Sequence, residues 1–384
     1  MPFQAGEINR GNVSPLLPAF SLRLRKVLYS PFPFHLFPFL FPPMPTALVS
    51  RQFVARFGNE FKAVAERAAK SVSFVTLPDA PGAPLSQSDR ERVNCIFLDR
   101  DLRFNDQIYA AYREMVLAAP NLKWVHYTSS GVGQQEFVFE LDTKGVIITS
   151  STGSNAEPVA QTGLTGLLML ARGFGTYIRG QYTHEWRPLR GDTLPDDLRG
   201  QTLLLIGVGA VGTVFAGYAR AFGLKVIGVR RSPLQPGEPV DELHPPSKLP
   251  ELLPRADWIV IACPLTQETL NLIDAAAFKR MRKGARLINI GRGEVIDEAA
   301  LIAAIRSGHL GGAALDAHRH EPLPADSPLW DLPNVIISPH NASASTGNEK
   351  RCAEMFIANF AHWMRGEPMF NVQDVSKLKV KSTA

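Results

Sequence analysis

Ten consecutive residues constrain this chain more than any other stretch: Leu203-Leu204-Leu205-Ile206-Gly207-Val208-Gly209-Ala210-Val211-Gly212. An unbroken apolar run reads as a buried strand and meets G-x-G-x-x-G, after which an alanine-rich, helical stretch continues to Phe222. Each glycine has a mechanical reason. Gly207 permits a tight bend, Gly209 lets backbone N–H groups approach a pyrophosphate, and Gly212 lets helix and strand pack closely. The amides of the first helical turn, at Ala210 and Val211, then face the phosphates with the partial positive charge of a helix N-terminus. Glycines in such a turn can also be packing alone. A second strand at the right distance, Lys225 to Val229, favours the dinucleotide reading.

That second strand ends in Arg230-Arg231-Ser232, and no carboxylate lies between Lys225 and Gln235. A site for NAD usually has an acid here to bond the ribose 2′-hydroxyl, whereas arginine accommodates the 2′-phosphate of NADP. Two arginines could simply solvate a loop tip. At this offset from the glycines, their permanent charge and bidentate fit to phosphate point to NADP as the preferred cofactor, with NAD possible.

The 384 residues suffice for two domains. With 45% hydrophobic and 20% charged residues the composition is globular. The net charge is +5, the 36 acidic residues are dispersed and no basic stripe is present, which argues against nucleic acid and suits small anionic substrates. Cys95, Cys263 and Cys352 lie far apart without metal-ligand spacing, so no metal site is expected, the cysteines should pack in or near the core, and a reducing, cytoplasmic setting is the expectation.

Residues 1–45 differ from the rest. Val27 to Pro38 is rich in phenylalanine but broken by proline, too interrupted for a spanning helix, so no membrane partner is expected. Arg23, Arg25 and Lys26 faintly suggest a targeting peptide without a small-residue cleavage site; a disordered extension, or residues preceding a start at Met44, is the reading adopted. From Thr46, β-like runs (Ala47–Val49, Val72–Thr76, Cys95–Leu98, Trp124–Tyr127, Val146–Thr149) alternate with helical stretches such as Phe53–Ala69 and Gln107–Ala118. Alternation of this kind predicts an α/β fold with a parallel sheet. Asn155–Arg172 reads as one helix, apolar almost all round and so buried between domains or subunits. After a polar connection through Trp186 and Asp192, six further strands are expected: Leu203–Ile206, Val226–Val229, Trp258–Ala262, Arg286–Ile290, Gly312–Leu315 and Val335–Ser338. A terminal helix follows, about Gly347 to Met364.

Three stretches follow the last of these strands, where open α/β sheets bind ligands. They are Asn289-Ile290-Gly291-Arg292-Gly293, Ala314 to Pro324, and Ser338-Pro339-His340-Asn341-Ala342-Ser343. Together they offer what reduction of a 2-oxo acid needs. Arg292 can clamp a carboxylate and polarise the adjacent carbonyl. His340 can donate a proton to the oxygen, and Glu321 can favour the charged imidazole and orient its ring. Singly, each could be an ordinary loop or capping residue.

At this point the chain resembles the D-isomer-specific 2-hydroxyacid dehydrogenases, from about Thr46 to about Asp374. The resemblance rests on Gly207 to Gly212, Cys263-Pro264-Leu265-Thr266, Asn289 to Gly293, Ala314-Leu315-Asp316, Glu321-Pro322-Leu323-Pro324, Pro328-Leu329-Trp330, Pro333-Asn334-Val335 and Ser338-Pro339-His340. It implies a Rossmann-type NAD(P)-binding domain, residues 151–341, inserted in a flavodoxin-like catalytic domain, residues 46–150 and 342–384. It implies Arg292, Glu321 and His340 as the catalytic set, with Asp316 orienting the nicotinamide carboxamide. Cys263-Pro264 would pass the adenosine ribose, Ile290 would belong to the cofactor site, and the amides of Ser130-Gly131 would hold the substrate carboxylate. A homodimer built around the helix after Asn155 is implied too.

Gly133 stands where the family commonly has aspartate, and Gln161-Thr162 replace a usual Glu-His pair. His318, Arg319 and His320 make the approach to Glu321 more basic than is common; this extra charge is read as facing solvent. The expected activity is NADPH-preferring reduction of a small 2-oxo acid of the glyoxylate or hydroxypyruvate type. A phosphoglycerate dehydrogenase, or a dinucleotide-sensing corepressor-like interaction protein on the same fold, are the competing readings.

Overall fold

Short aliphatic strands alternating with amphipathic helices build two parallel sheets. The computed structural model describes residues 44–67, 71–76, 85–98, 113–129, 132 and 136–377, so the phenylalanine- and proline-rich segment before Met44 lies outside the described residues. The first sheet contains β1 (Thr46–Val49), β2 (Ser73–Thr76), β3 (Cys95–Leu98), β4 (Trp124–Tyr127) and β5 (Ile147–Ser150), in the order β2-β1-β3-β4-β5. Helix α1 (Arg51–Arg67) carries Phe53, Phe57, Phe61 and Ala65 at four-residue spacing, which places them on one buried stripe against this sheet.

The chain returns to the same sheet at its end. The terminal helix (Asn348–Arg365) buries Phe356, Phe360 and Trp363 among the α1 aromatics, with the Phe61 and Phe360 ring centroids 4.3 Å apart. Phe356 also stacks on Phe97 of β3 at 4.9 Å. Backbone bonds from Ser150 N to the Asn371 carbonyl and from Gln373 N to the Ile148 carbonyl then fasten residues 371–373 alongside β5. Inside β4, His126 is fully buried between Thr149 Oγ1 at 2.7 Å and Ser151 Oγ at 3.0 Å, and burial pushes its pKa down to about 3.

The second sheet contains β6 (Thr202–Ile206), β7 (Lys225–Val229), β8 (Glu242–His244), β9 (Trp258–Ile261), β10 (Arg286–Asn289), β11 (Gly312–Leu315) and β12 (Val335–Ile337). Its order is β12-β11-β10-β9-β6-β7-β8, all neighbours parallel. The six expected strands are present within a residue or two at each end. The seventh, β8, was not expected: three half-buried residues are too few to show a period, and pairing with β7 creates the strand. Lys225 and Arg255 hold its Glu242 at 3.0 and 2.7 Å.

Helix α2 (Ala156–Ala171) lies on this sheet and against the helix Ala210–Ala221. Small residues set its distance: a Cβ at Gly166 would come within 2.6 Å of Ala314 Cβ, and one at Gly163 within 3.0 Å of Ile290 and Phe215. The helix is apolar almost all round, as expected, except for Glu157, Gln161 and Thr165, which form an exposed polar stripe four residues apart. The following stretch, read as a connection, contains a further helix, α3 (Phe174–Thr183). It buries only Gly180, so it shows none of the apolar periodicity by which a helix is recognised. Of the expected helix Gln107–Ala118, residues 113–117 are helical and those before 113 lie outside the described residues.

Candidate active site

Strand register brings the predicted stretches to one edge. Ile206 pairs with Ile261, Ile261 with Asn289, Asn289 with Leu315 and Leu315 with Ile337, so five carboxyl ends stand in a row. The loops leaving that row hold the glycine turn, Cys263, Arg292, Asp316 and His340. Strand order reverses beside β6, where β7 lies on one side and β9 on the other, and such switch points open a crevice for ligands.

The turn itself fits a dinucleotide pyrophosphate. Gly207 has φ of 102°, and a Cβ there would lie 2.6 Å from the Cys263 amide nitrogen. A Cβ at Gly212 would lie 2.1 Å from the Gly207 carbonyl oxygen, so the helix start sits directly on the strand end. Gly209 is different: nothing lies within 4 Å of where its Cβ would be. It caps helix α4 (Ala210–Ala221) without any side-chain bond, leaving the amides of Ala210, Val211 and Gly212 facing that open space.

Behind the second strand, Arg230 points inward. It pairs with Glu238 at 2.6 Å and bonds the Val208 carbonyl of the turn at 3.0 Å. Arg231 and Ser232 are exposed. The acid missing between Lys225 and Gln235 therefore arrives from just beyond that window, carried back by the loop.

Glu321 and His340 meet. Glu321 Oε2 lies 2.7 Å from His340 Nδ1, and Oε1 accepts the His318 amide at 2.9 Å. Burial opposes the Glu321 charge, but the His318 amide and the His340 ring outweigh it and hold the carboxyl below its usual range. His340 adopts a positive φ of 49°, and its amide donates to the Asp316 carbonyl at 2.8 Å. The Asp316 side chain, almost fully buried, accepts from Ser338 Oγ at 2.6 Å and from the Asn341 and Ala342 amides at 3.1 and 3.2 Å. Both its oxygens thus brace the loop bearing His340.

Arg292 is exposed at the end of β10, its Nη1 donating to the Gly291 carbonyl at 2.8 Å. Asn289 shapes that loop: its Oδ1 accepts the Gly291 amide at 3.0 Å while its Nδ2 donates to the Arg292 carbonyl at 3.1 Å. Gly293 is pressed on the next loop, since a Cβ there would lie 1.9 Å from the His318 carbonyl carbon. The Arg292 and Glu321 loops are thereby in direct backbone contact.

Cys263 is buried beside Gly207 and its thiol is pushed up to about 11 by burial, while Pro264 is exposed. The Ile290 side chain packs in the core under α2, and its amide donates to the Ile261 carbonyl at 3.0 Å. Ser130 and Gly131 lie outside the described residues. The basic cluster before Glu321 does not face solvent as a unit. His318 is buried, its Nε2 donating to the Ser338 carbonyl at 3.0 Å; Arg319 bonds Asn271 and the Ile296 carbonyl; His320 alone is exposed. A strand end directly preceding a close glycine contact has no room for an outward ring. Sequence reasoning also missed Asn289 and Glu238, whose roles come from folded loops rather than from spacing. Among the described residues there is no cluster suited to a metal ion and no helix long and apolar enough to cross a membrane.

Comparison with known proteins agrees with this geometry. Residues 164–342 match the family described as D-isomer specific 2-hydroxyacid dehydrogenase, NAD binding domain. The glyoxylate reductase of Korarchaeum cryptofilum is 33% identical over 275 residues, covering 70% of this chain and 81% of its own length. The glyoxylate/hydroxypyruvate reductase B of Citrobacter koseri is 34% identical over 240 residues, 62% of this chain and 74% of its own. The structure of a D-isomer specific 2-hydroxyacid dehydrogenase from Xanthobacter autotrophicus in complex with NADPH and MES superposes with a TM-score of 0.65 at 28% identity, covering 87% of this chain and 99% of that one. A shared fold, a glycine turn shaped for a dinucleotide and relatives a third identical over most of their length lead to one conclusion: the chain belongs to the D-isomer specific 2-hydroxyacid dehydrogenases, oxidoreductases of small 2-oxo and 2-hydroxy acids that use a nicotinamide dinucleotide.

Proposed function

We propose that this protein reduces a small 2-oxo acid, of the glyoxylate or hydroxypyruvate type, to the D-2-hydroxy acid with NADPH in preference to NADH. The observation that carries the reading is the 2.7 Å contact of Glu321 with His340 Nδ1 on the loops after β11 and β12. With Nδ1 committed to the carboxylate, Nε2 is the nitrogen left to face a substrate oxygen. An imidazolium in that position donates its Nε2 proton as negative charge develops on the oxygen, and the ionised Glu321 stabilises it. Arg292 binds the substrate carboxylate with its fork and draws charge toward the carbonyl. By the family resemblance, the Ser130-Gly131 amides would also hold that carboxylate. A nicotinamide dinucleotide bound at the glycine turn would supply the hydride for the substrate C2. Asp316 keeps the His340 loop in place through its bonds to Ser338, Asn341 and Ala342.

The reading divides the chain into a substrate-binding unit, residues 46–150 and 342–384, and a cofactor-binding unit, residues 151–341, whose closure excludes water. It also takes the protein to be a homodimer. Support comes from α2 and α3, where half-buried Leu164 and Leu168 lead to Phe174 and Tyr177, then to Tyr182 at 83% and Trp186 at 95% exposure. Apolar surface of that extent on consecutive elements suits a second copy. Light scattering on the purified protein checks this, and a monomer removes it.

The deciding experiment is a panel of 2-oxo acids, glyoxylate and hydroxypyruvate among them, assayed with NADPH and with NADH. Absence of turnover with every acid and both cofactors would defeat the enzymatic reading.

A further inference from the structure

The Arg230 guanidinium is fully engaged. It has five N–H groups, and each finds an acceptor within the chain. Nε donates to the Ser232 carbonyl at 3.0 Å; Nη1 donates to the Val208 carbonyl at 3.0 Å and Glu238 Oε1 at 2.6 Å; Nη2 donates to the Pro233 carbonyl at 2.6 Å and Glu238 Oε2 at 2.7 Å. The Glu238 side chain is only 4% exposed, and Oε2 accepts a further bond from the Gln235 amide at 2.9 Å. Fork against fork is how a guanidinium grips either a carboxylate or a phosphate, and one edge holds only one of them at a time. Separating a buried pair of this kind also leaves each partner uncompensated. Arg231 is the opposite case: exposed, next in sequence, and with no ion pair or hydrogen bond among the described residues.

We propose that Glu238 is a specificity-determining residue: by occupying the Arg230 fork it leaves Arg231, with the Ser232 hydroxyl, to take the 2′-phosphate of NADPH, and so limits how strongly the phosphorylated dinucleotide is preferred. The inference rests on the NADPH reading above and divides the work between the two arginines. Arg230 braces the glycine turn through the Val208 carbonyl and serves either dinucleotide alike. Arg231 contributes only when the phosphate is present. Replacing Glu238 by glutamine keeps the shape of the cage but removes the charge, which frees one edge of the Arg230 guanidinium for a phosphate.

The test is equilibrium binding of NADPH and NADH to the full chain by calorimetry, for the wild type, Glu238→Gln, Arg231→Ala and Arg230→Ala. Glu238→Gln is expected to tighten NADPH by about fivefold or more with NADH within about twofold. Arg231→Ala is expected to weaken NADPH by about tenfold and leave NADH unchanged. Arg230→Ala should weaken both by one factor, keeping their ratio. The proposal is overturned if Glu238→Gln leaves NADPH binding unchanged or weaker, or if it loosens NADH, which would make the carboxylate a ribose ligand. It is also overturned if Arg230→Ala collapses the ratio, which would make Arg230 the phosphate ligand. Should Arg230→Ala not fold, the other two variants decide. A wild type that binds NADH the more tightly defeats the NADPH reading alone, since the Glu238 effect is measured as a change in NADPH affinity.

Discussion

The Glu321 carboxylate and the His340 ring stand 2.7 Å apart although 19 positions separate them in sequence. Two loops from neighbouring strands produce the contact, and each is held independently: Glu321 by the His318 amide, His340 by the Asp316 carbonyl and, through its loop, by the Asp316 carboxylate. The pair is therefore held in place by its own loops, which under the proposed mechanism favours catalysis because little reorganisation is needed when charge develops.

Loss of the ring should remove the proton relay while sparing the cofactor site. His340→Ala is expected to lower turnover by about 100-fold or more with dinucleotide affinity unchanged. Glu321 adds a pH signature. Its depressed folded pKa means that its ion-pair contribution is present above the ordinary carboxylate value, about 4.3, and is lost as pH falls through the folded value. Glu321→Gln destabilises the imidazolium, so the pH optimum for reduction should move to lower pH. A pH–rate profile identical to that of the wild type would sink the coupling.

Two glycines of one motif should fail differently. Gly212→Ala places a Cβ 2.1 Å from the Gly207 carbonyl oxygen, so the protein should be destabilised, by about 1–3 kcal/mol for such overpacking. Gly209→Ala meets nothing within 4 Å and has an ordinary φ of −98°, so its melting temperature should match that of the wild type. Its methyl group instead stands in the space assigned to the pyrophosphate, and dinucleotide binding should be lost. Thermal melts paired with calorimetric titrations check both; retained affinity in Gly209→Ala would place the phosphates elsewhere.

Arg292 is exposed and, among the described residues, its side chain bonds only the Gly291 carbonyl, so its replacement should cost little stability. Arg292→Lys retains the charge but not the planar fork. A Michaelis constant for the oxo acid raised by about tenfold or more, with dinucleotide affinity unaltered, is the expected result. An unchanged constant would take the carboxylate away from this side chain.

His126 predicts acid sensitivity of the first sheet. Its folded pKa of about 3 lies below the unfolded value near 6.5, so the unfolded chain binds the extra proton between them. Stability from this group is complete above pH 6.5 and falls as pH drops, by about 1.4 kcal/mol per pH unit until the folded pKa is reached. Denaturant titrations from pH 7 to 4 should give a shallower decline for His126→Gln than for the wild type. Parallel curves would remove His126 from the acid response.

Much of this architecture could be read before folding. Short apolar runs alternating with helical stretches located eleven of the twelve strands among the described residues, and the glycine turn located the crevice, because both depend on local backbone geometry. Elements without a local pattern escaped: β8 exists only because β7 offers it an edge, and α3 has no buried stripe to announce it. Arg292, Glu321 and His340 were legible as chemistry because each follows a strand at the ligand-binding end.

What folding alone decided is who touches whom. Sequence spacing offered Arg230 to a phosphate; what spacing could not show is that Glu238, eight positions on, folds back to pair with its guanidinium. Sequence counted His318 among surface charges, but Gly293 brings a neighbouring backbone so close that the ring turns inward to the Ser338 carbonyl. Residue order thus determined the strands, the turn and the kinds of chemistry available. The partners of each charge were settled by packing, because hydrogen bonds and ion pairs act over a few ångströms and only the tertiary fold sets those distances.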